Sequence, residues 1–179
     1  RGLQIKLNIL LESIPLCDHD IIALTETWLT NDILDSKLFP SNFIVYRRDR
    51  SDRTSIYGRS GCVLLAVHRS ISSRIIPSLD NIEQLFVQVG SGSQTVIFGV
   101  AYIPPKSTPE KYQIFFDSVD TIVDIDPSAQ VCILGDFNLP HGLWRNDEYS
   151  SAVYPTTAFA NEKSYGDHLQ YLCVPQPIS

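Results

Sequence analysis

VCILGDFN, residues 131–138, is the stretch from which the fold is read. Val131 to Leu134 are apolar without a break, the mark of a short buried strand. Gly135 then lets the backbone turn tightly, which brings Asp136 and Asn138 together where the strand surfaces. The same pattern occurs twice upstream. IIALTETW (21–28) delivers Glu26 from an apolar run, and TVIFGVAYIPP (95–105) delivers Tyr102. A strand must surface somewhere and polar residues follow, so any one of these ends is ordinary. Three of them with these residue types form a set.

The remaining elements fit around that set. FIVYR (43–47) and CVLLAVH (62–68) read as further buried strands. Leu85, Val87 and Val89 alternate within a strand from Glu83 to Val89, and Gly90-Ser91-Gly92-Ser93 turns it into a hairpin with residues 95–102. Leu3, Leu7, Leu10, Leu11 and Ile14 have helical spacing until Pro15 ends the stripe. Thr108 is placed to cap a second helix, with Pro109 in its first turn and apolar residues at helical intervals from Lys111. Asp117, Asp120 and Asp124 share one face of that helix and read as solvated. NEKSYGDHLQYL (161–172) reads as a weak helix. Mostly antiparallel strands with helices outside them predict an α+β layered sandwich.

Composition sets the bounds. A chain of 179 residues fits one domain, 44% hydrophobic content supplies a core, and 19% charged residues argue against disorder. No stretch nears the roughly 18 uninterrupted apolar residues of a membrane span, so no membrane partner is expected. The chain has no methionine, even at position 1, and is read as a piece of a longer polypeptide. Cys17, Cys62, Cys132 and Cys173 lie far apart without zinc-ligand spacing, which reads as reduced, buried thiols of an intracellular protein.

Net charge is −6, from 14 basic and 20 acidic residues, whereas sequence-blind DNA binders are usually basic. The local distribution differs. Arg47, Arg48, Arg50, Arg53 and Arg59 fall within thirteen positions against only Asp49 and Asp52. The cluster is either a solvated loop between strands or a set of phosphate contacts, with Arg47 and Arg50 the candidates for nucleic-acid binding.

The set of strand ends suits one chemistry in particular. Phosphodiester hydrolysis needs a divalent cation to polarise the phosphoryl oxygen and offset growing negative charge. Mg²⁺ takes oxygen ligands and keeps most of its waters, so one or two carboxylates suffice, and Glu26 fits that role. Asp136 can serve as base or water-orienting group. Asn138 and the Tyr102 hydroxyl are neutral donors for the non-bridging oxygens.

IIALTETWL, GCVLLAVH, VAYIPP and ILGDFN, in this order and spacing, closely resemble the endonuclease/exonuclease/phosphatase superfamily, which includes DNase I and the abasic-site endonucleases. ALTETWL, the opening Arg1-Gly2 and GDFNLPH followed by Trp144 look like the endonuclease of arthropod-type non-LTR retrotransposons. The resemblance runs across essentially the whole chain. It implies a DNase I-like two-layer β-sandwich flanked by helices, a Mg²⁺ (or Mn²⁺) site, and nicking of DNA to leave a 3′-hydroxyl. It matches Glu26 to the family's metal-binding glutamate and Tyr102 to its phosphate-contacting tyrosine. Asp136 and Asn138 match the GDxN motif, and His141 a common histidine after it for which a structural role is at least as fitting. DNA, a downstream reverse transcriptase domain of the same polyprotein and a nuclear location are implied likewise.

Two departures shape the expectation. The family's first-strand asparagine would fall just before Arg1. The closing strand with its aspartate and Ser-Asp-His motif has no counterpart, since Asp167-His168 sits in a helix-like segment only 32 residues after Asp136. The sandwich is therefore expected to be incomplete at its C-terminus. Losing one member of a cooperating catalytic set costs orders of magnitude, so the chain as given is expected to be nearly inactive. Two other readings stand beside nicking: a phosphatase of the same superfamily acting on inositol phosphates or sphingolipid, and a non-catalytic remnant acting as a binding module. ALTETWL and the lack of a membrane-directed segment favour DNA.

Overall fold

Strands that are apolar on both faces must be covered on both, and that requirement sets the layers of this molecule. The computed structural model describes residues 9, 12, 14, 19–30, 32–49, 62–78, 82–92, 95–138, 143–146 and 153–156. Strands β1 (Ile21–Thr25), β2 (Phe43–Arg48) and β3 (Val63–His68) form an antiparallel sheet in the order β1-β3-β2. Strands β4 (Ser73–Ile76), β5 (Glu83–Val89), β6 (Val96–Tyr102) and β7 (Gln130–Asp136) form a second sheet in that order. A separate antiparallel pair joins β8 (Leu143–Asn146) and β9 (Val153–Thr156).

The two larger sheets pack face to face. Val63, Leu65 and Val67 of β3 meet Leu85, Val87 and Val89 of β5 and Val100 and Tyr102 of β6. The intervening residues of β3, Leu64 and Ala66, point the other way into Leu29, Leu38, Phe39 and Phe43. The outer face of the second sheet is covered by helix α1 (Pro109–Ile125), whose Phe115, Phe116, Val119 and Ile122 lie on Phe86, Ile97, Ala101 and Ile133. The result is the α+β sandwich that the apolar runs predict.

Among the described strands only β6 and β7 run parallel. Parallel neighbours need a crossover, and the 17-residue α1 provides it while covering the sheet it spans. Thr108 occupies the cap position in extended backbone, but its hydroxyl does not bond the helix N–H groups. It engages Glu110 instead, which holds that carboxyl below its usual range. The polar Gln84, buried on the helix side of β5, is accommodated by donating to the Ser118 hydroxyl at 2.9 Å. Opposite Phe86 sits Gly99, where a Cβ would come within 2.7 Å of both the Phe86 ring and Ile133.

The strands read at 21–26, 43–47, 62–68, 83–89, 95–102 and 131–138 each appear, within a residue or two at their ends. Strand β4 has no such signal: Ser73 to Ile75 are mostly exposed on a sheet edge, so no alternation marks them. Asp117 and Asp124 are solvated on α1 as read, while Asp120 is partly buried. Of the N-terminal stripe, Ile14 is buried, and Leu3, Leu7, Leu10 and Leu11 lie outside the described residues, as does 161–172. No helix among the described residues is long and apolar enough to cross a membrane. Cys62 and Cys132 are free thiols, and burial pushes the Cys132 thiol above its usual pKa; Cys17 and Cys173 lie outside the described residues.

Two outcomes follow from this packing. Gly99→Val overpacks the helix-facing core and should lower stability by about 1–3 kcal/mol, read as a lower urea midpoint with an unchanged slope. Cys132 should be alkylated at pH 8 several-fold more slowly than a free cysteine, since the thiolate is the reacting form; site-resolved mass spectrometry of iodoacetamide labelling measures it.

Candidate active site

Strand register gathers the three polar ends at one edge of the sandwich. In the second sheet Tyr102 pairs with Asp136 on one side and with Glu83 on the other. In the first sheet β1 ends at Thr25, opposite Val63 at the start of β3, and Glu26 is the next residue. Glu26 and Trp28 both take left-handed backbone, φ 52° and 54°, so the chain leaves the strand abruptly. Such conformations cost on the order of 1 kcal/mol each for a residue with a side chain. Burial of Thr27 and Leu29 and a bond from the Thr27 N–H to the Cys62 carbonyl (3.4 Å) hold the turn in place.

Tyr102 joins the two sheets. It is 3% exposed, yet its hydroxyl reaches the Glu26 carboxylate, which is exposed to solvent. Its pKa is pushed far above the ordinary tyrosine value, first by burial, then by the bond to Glu26, then by the charges of Glu26, Asp136 and Glu83. Tyr102 is therefore a neutral hydroxyl donor between two carboxylates.

Asp136 reaches its place because residue 135 lacks a side chain. Gly135 has φ 154°, and a Cβ there would overlap the carbonyl oxygen of Ala101 on β6. The sequence suggests that this glycine serves a tight turn; in the structure it serves the close approach of the two strands. The turn comes after it. The Asp136 carboxylate accepts the Asn138 N–H at 3.1 Å, and Asn138 is left-handed at φ 45°. The Ile103 N–H donates to the Asp136 carbonyl (2.9 Å), the Asn138 amide donates to the Ile103 carbonyl (3.0 Å), and the Tyr112 hydroxyl donates to the Phe137 carbonyl (2.9 Å). Asn138 is thus tied to the segment that follows β6, and its second amide N–H is left to aim elsewhere.

Glu26, Tyr102, Asp136 and Asn138 come together at one edge. Arg47 is placed differently. Its guanidinium, 16% exposed, is shared by Asp35 (3.3 Å) and Asp49 (3.0 Å). Burial raises the Asp49 carboxyl above its usual range against the pull of Arg47. Arg50 and His141 lie outside the described residues. The roles of two residues escaped the sequence reading. Arg48 crosses between the sheets, donating to the Gln84 carbonyl (3.2 Å) and the Ser78 hydroxyl (3.3 Å). Glu83, 6% exposed, accepts the Cys62 N–H at 2.9 Å. The only signal for Glu83 is a carboxylate at the head of an apolar run, which reads as a strand surfacing.

Among the described residues no group of three or more His, Cys, Asp or Glu could hold a metal. Among the described residues the donors at the edge are two exposed carboxylates, Glu26 and Asp136. That is too few for a structural zinc or a calcium cage, and it fits Mg²⁺, which takes one or two carboxylates and retains water.

Known structures share this architecture. The endonuclease domain of TRAS1, a telomere-specific non-LTR retrotransposon, superposes with a TM-score of 0.51 at 14% identity over 95% of this chain and 65% of that one. The human Nocturnin catalytic domain gives 0.51 at 14% identity over 75% and 57%. TDP2 from Caenorhabditis elegans gives 0.50 at 19% identity over 76% and 43%. The chain thus spans between 43% and 65% of the solved chains it resembles, and at these identities the likeness is one of fold. No curated protein matches. The sequence model of the endonuclease/exonuclease/phosphatase family matches residues 1–169, and the chain belongs to that family.

Proposed function

We propose that this chain is a Mg²⁺-dependent phosphodiesterase that nicks DNA, the endonuclease part of a retrotransposon polyprotein. The observation that carries the reading is the neutral Tyr102 hydroxyl set between the Glu26 and Asp136 carboxylates. Family membership supports hydrolysis of a phosphate ester. The choice of DNA rests on ALTETWL and GDFNLPH, with Trp144 after them, and on the superposition with a retrotransposon endonuclease over 95% of the chain.

Each residue has a distinct task in this reading. Glu26 and Asp136 are the oxygen donors from which Mg²⁺ would be held; when bound, the ion supplies charge to a phosphoryl oxygen. Tyr102 keeps its proton because burial and two carboxylates oppose ionisation, so its O–H donates to a non-bridging oxygen across the working pH range. Asp136 orients the attacking water or accepts its proton. Asn138, its backbone fixed by Asp136 and Tyr112, directs an amide N–H at the phosphate. Arg47 and Arg50 contact flanking phosphates, with Arg50 the stronger candidate because Asp35 and Asp49 already share the Arg47 guanidinium. DNA, a downstream reverse transcriptase domain and a nuclear location complete the proposal.

Supercoiled plasmid and a soluble inositol phosphate, each incubated with Mg²⁺, separate the readings. Nicking, however slow, should need the metal, vanish in Asp136→Ala and fall about 10²–10³-fold in Tyr102→Phe. Phosphate release without nicking would transfer the assignment to a phosphatase. Neither reaction, with DNA still bound, would leave a binding module. Replacing Arg47 and Arg50 together by alanine should flatten the slope of log K against log salt for DNA by about 1–2; an unchanged slope makes the cluster a solvated loop.

A further inference from the structure

The buried carboxylate of Glu83 has no place in the chemistry above, yet it sits at the edge where that chemistry is assembled. At 6% exposure its side-chain oxygens need donors, and the Cys62 main-chain N–H is one of them at 2.9 Å. Cys62 is unusual in its own right. It carries a side chain at φ 72°, a left-handed conformation that persists only when its surroundings over-determine it. Besides Glu83, two contacts hold it to the turn that bears Glu26. Its carbonyl accepts the Thr27 N–H (3.4 Å), and its Sγ donates to the Leu29 carbonyl (3.6 Å).

These contacts close a ring. Glu83 holds Cys62, Cys62 holds Thr27, and Thr27 adjoins Glu26. Glu26 meets the Tyr102 hydroxyl, and Tyr102 lies directly across from Glu83 in the β5–β6 pairing. The ring passes from one sheet to the other twice, once through side chains at Tyr102 and once through the Glu83–Cys62 bond. We infer that Glu83 is a positioning residue: it does not touch substrate or metal, and it sets the height and direction of the Glu26 carboxylate by clamping Cys62. The inference rests on the reading of Glu26 as the metal-holding carboxylate.

The distinction from a charge effect is testable, because glutamine keeps the acceptor oxygen and removes the charge. Mn²⁺ titrated into the wild-type protein and followed by electron paramagnetic resonance gives the affinity. Glu83→Ala should weaken Mn²⁺ about tenfold, the lower end for lost outer-shell support, while Glu83→Gln stays within about twofold of wild type on the same grounds. Hydrogen exchange at the Cys62 and Thr27 amides should speed up about tenfold or more in Glu83→Ala, as expected for loss of a local closing interaction, and remain slow in Glu83→Gln. Equal weakening of Mn²⁺ by both variants would assign the effect to charge and overturn the inference, and so would unchanged exchange in Glu83→Ala. Failure of the underlying metal reading looks different: Mn²⁺ affinity would then be unaffected by Glu26→Gln, while the exchange measurement still decides whether Glu83 clamps Cys62.

Discussion

Strand β6 is the reference against which the candidate site is set. It pairs antiparallel with β5, parallel with β7, and sends Tyr102 inward to the first sheet. Its parallel partner can approach to full register only because residue 135 has no Cβ. Moving β7 outward would carry Asp136 away from Tyr102 and break the bond from the Ile103 N–H to the Asp136 carbonyl. Helix α1 depends on the same contact, since it packs on Ala101 and Ile133 together. Packing at one backbone crossing therefore governs both the outer layer and the active edge.

The electrostatics of that edge act in the same direction as burial. Two exposed carboxylates and the buried Glu83 act on a single hydroxyl, and their combined effect is to keep it protonated. On the proposed reading, this edge is where a small number of oxygen donors would hold Mg²⁺.

Much of this was legible in the sequence, and the reasons differ by residue. The strands show because β3 is apolar on both faces and reads as an unbroken run, while in β5 Leu85, Val87 and Val89 alternate. Glu26, Tyr102, Asp136 and Asn138 show because each follows such a run. The parallel pairing of β6 with β7 shows only indirectly, through the helix between them. The contacts of Glu83 and Arg48 do not show, since their partners lie 21 and 36 positions away and no local pattern encodes them. Arg47 belongs to a visible basic cluster, yet its sharing between Asp35 and Asp49 depends on a turn that brings residue 35 back to the strand.

The division of the edge between two sheets has a topological consequence. Glu26 comes from the first sheet, Tyr102 and Asp136 from the second, and 110 positions of chain separate the two acids. Closing so long a loop carries an entropic penalty that the sandwich core, not the site, must offset. Neither sheet excised from the other would retain a half-strength version of the edge; each would hold isolated side chains without a shared focus. The candidate constellation exists only where the two sheets meet.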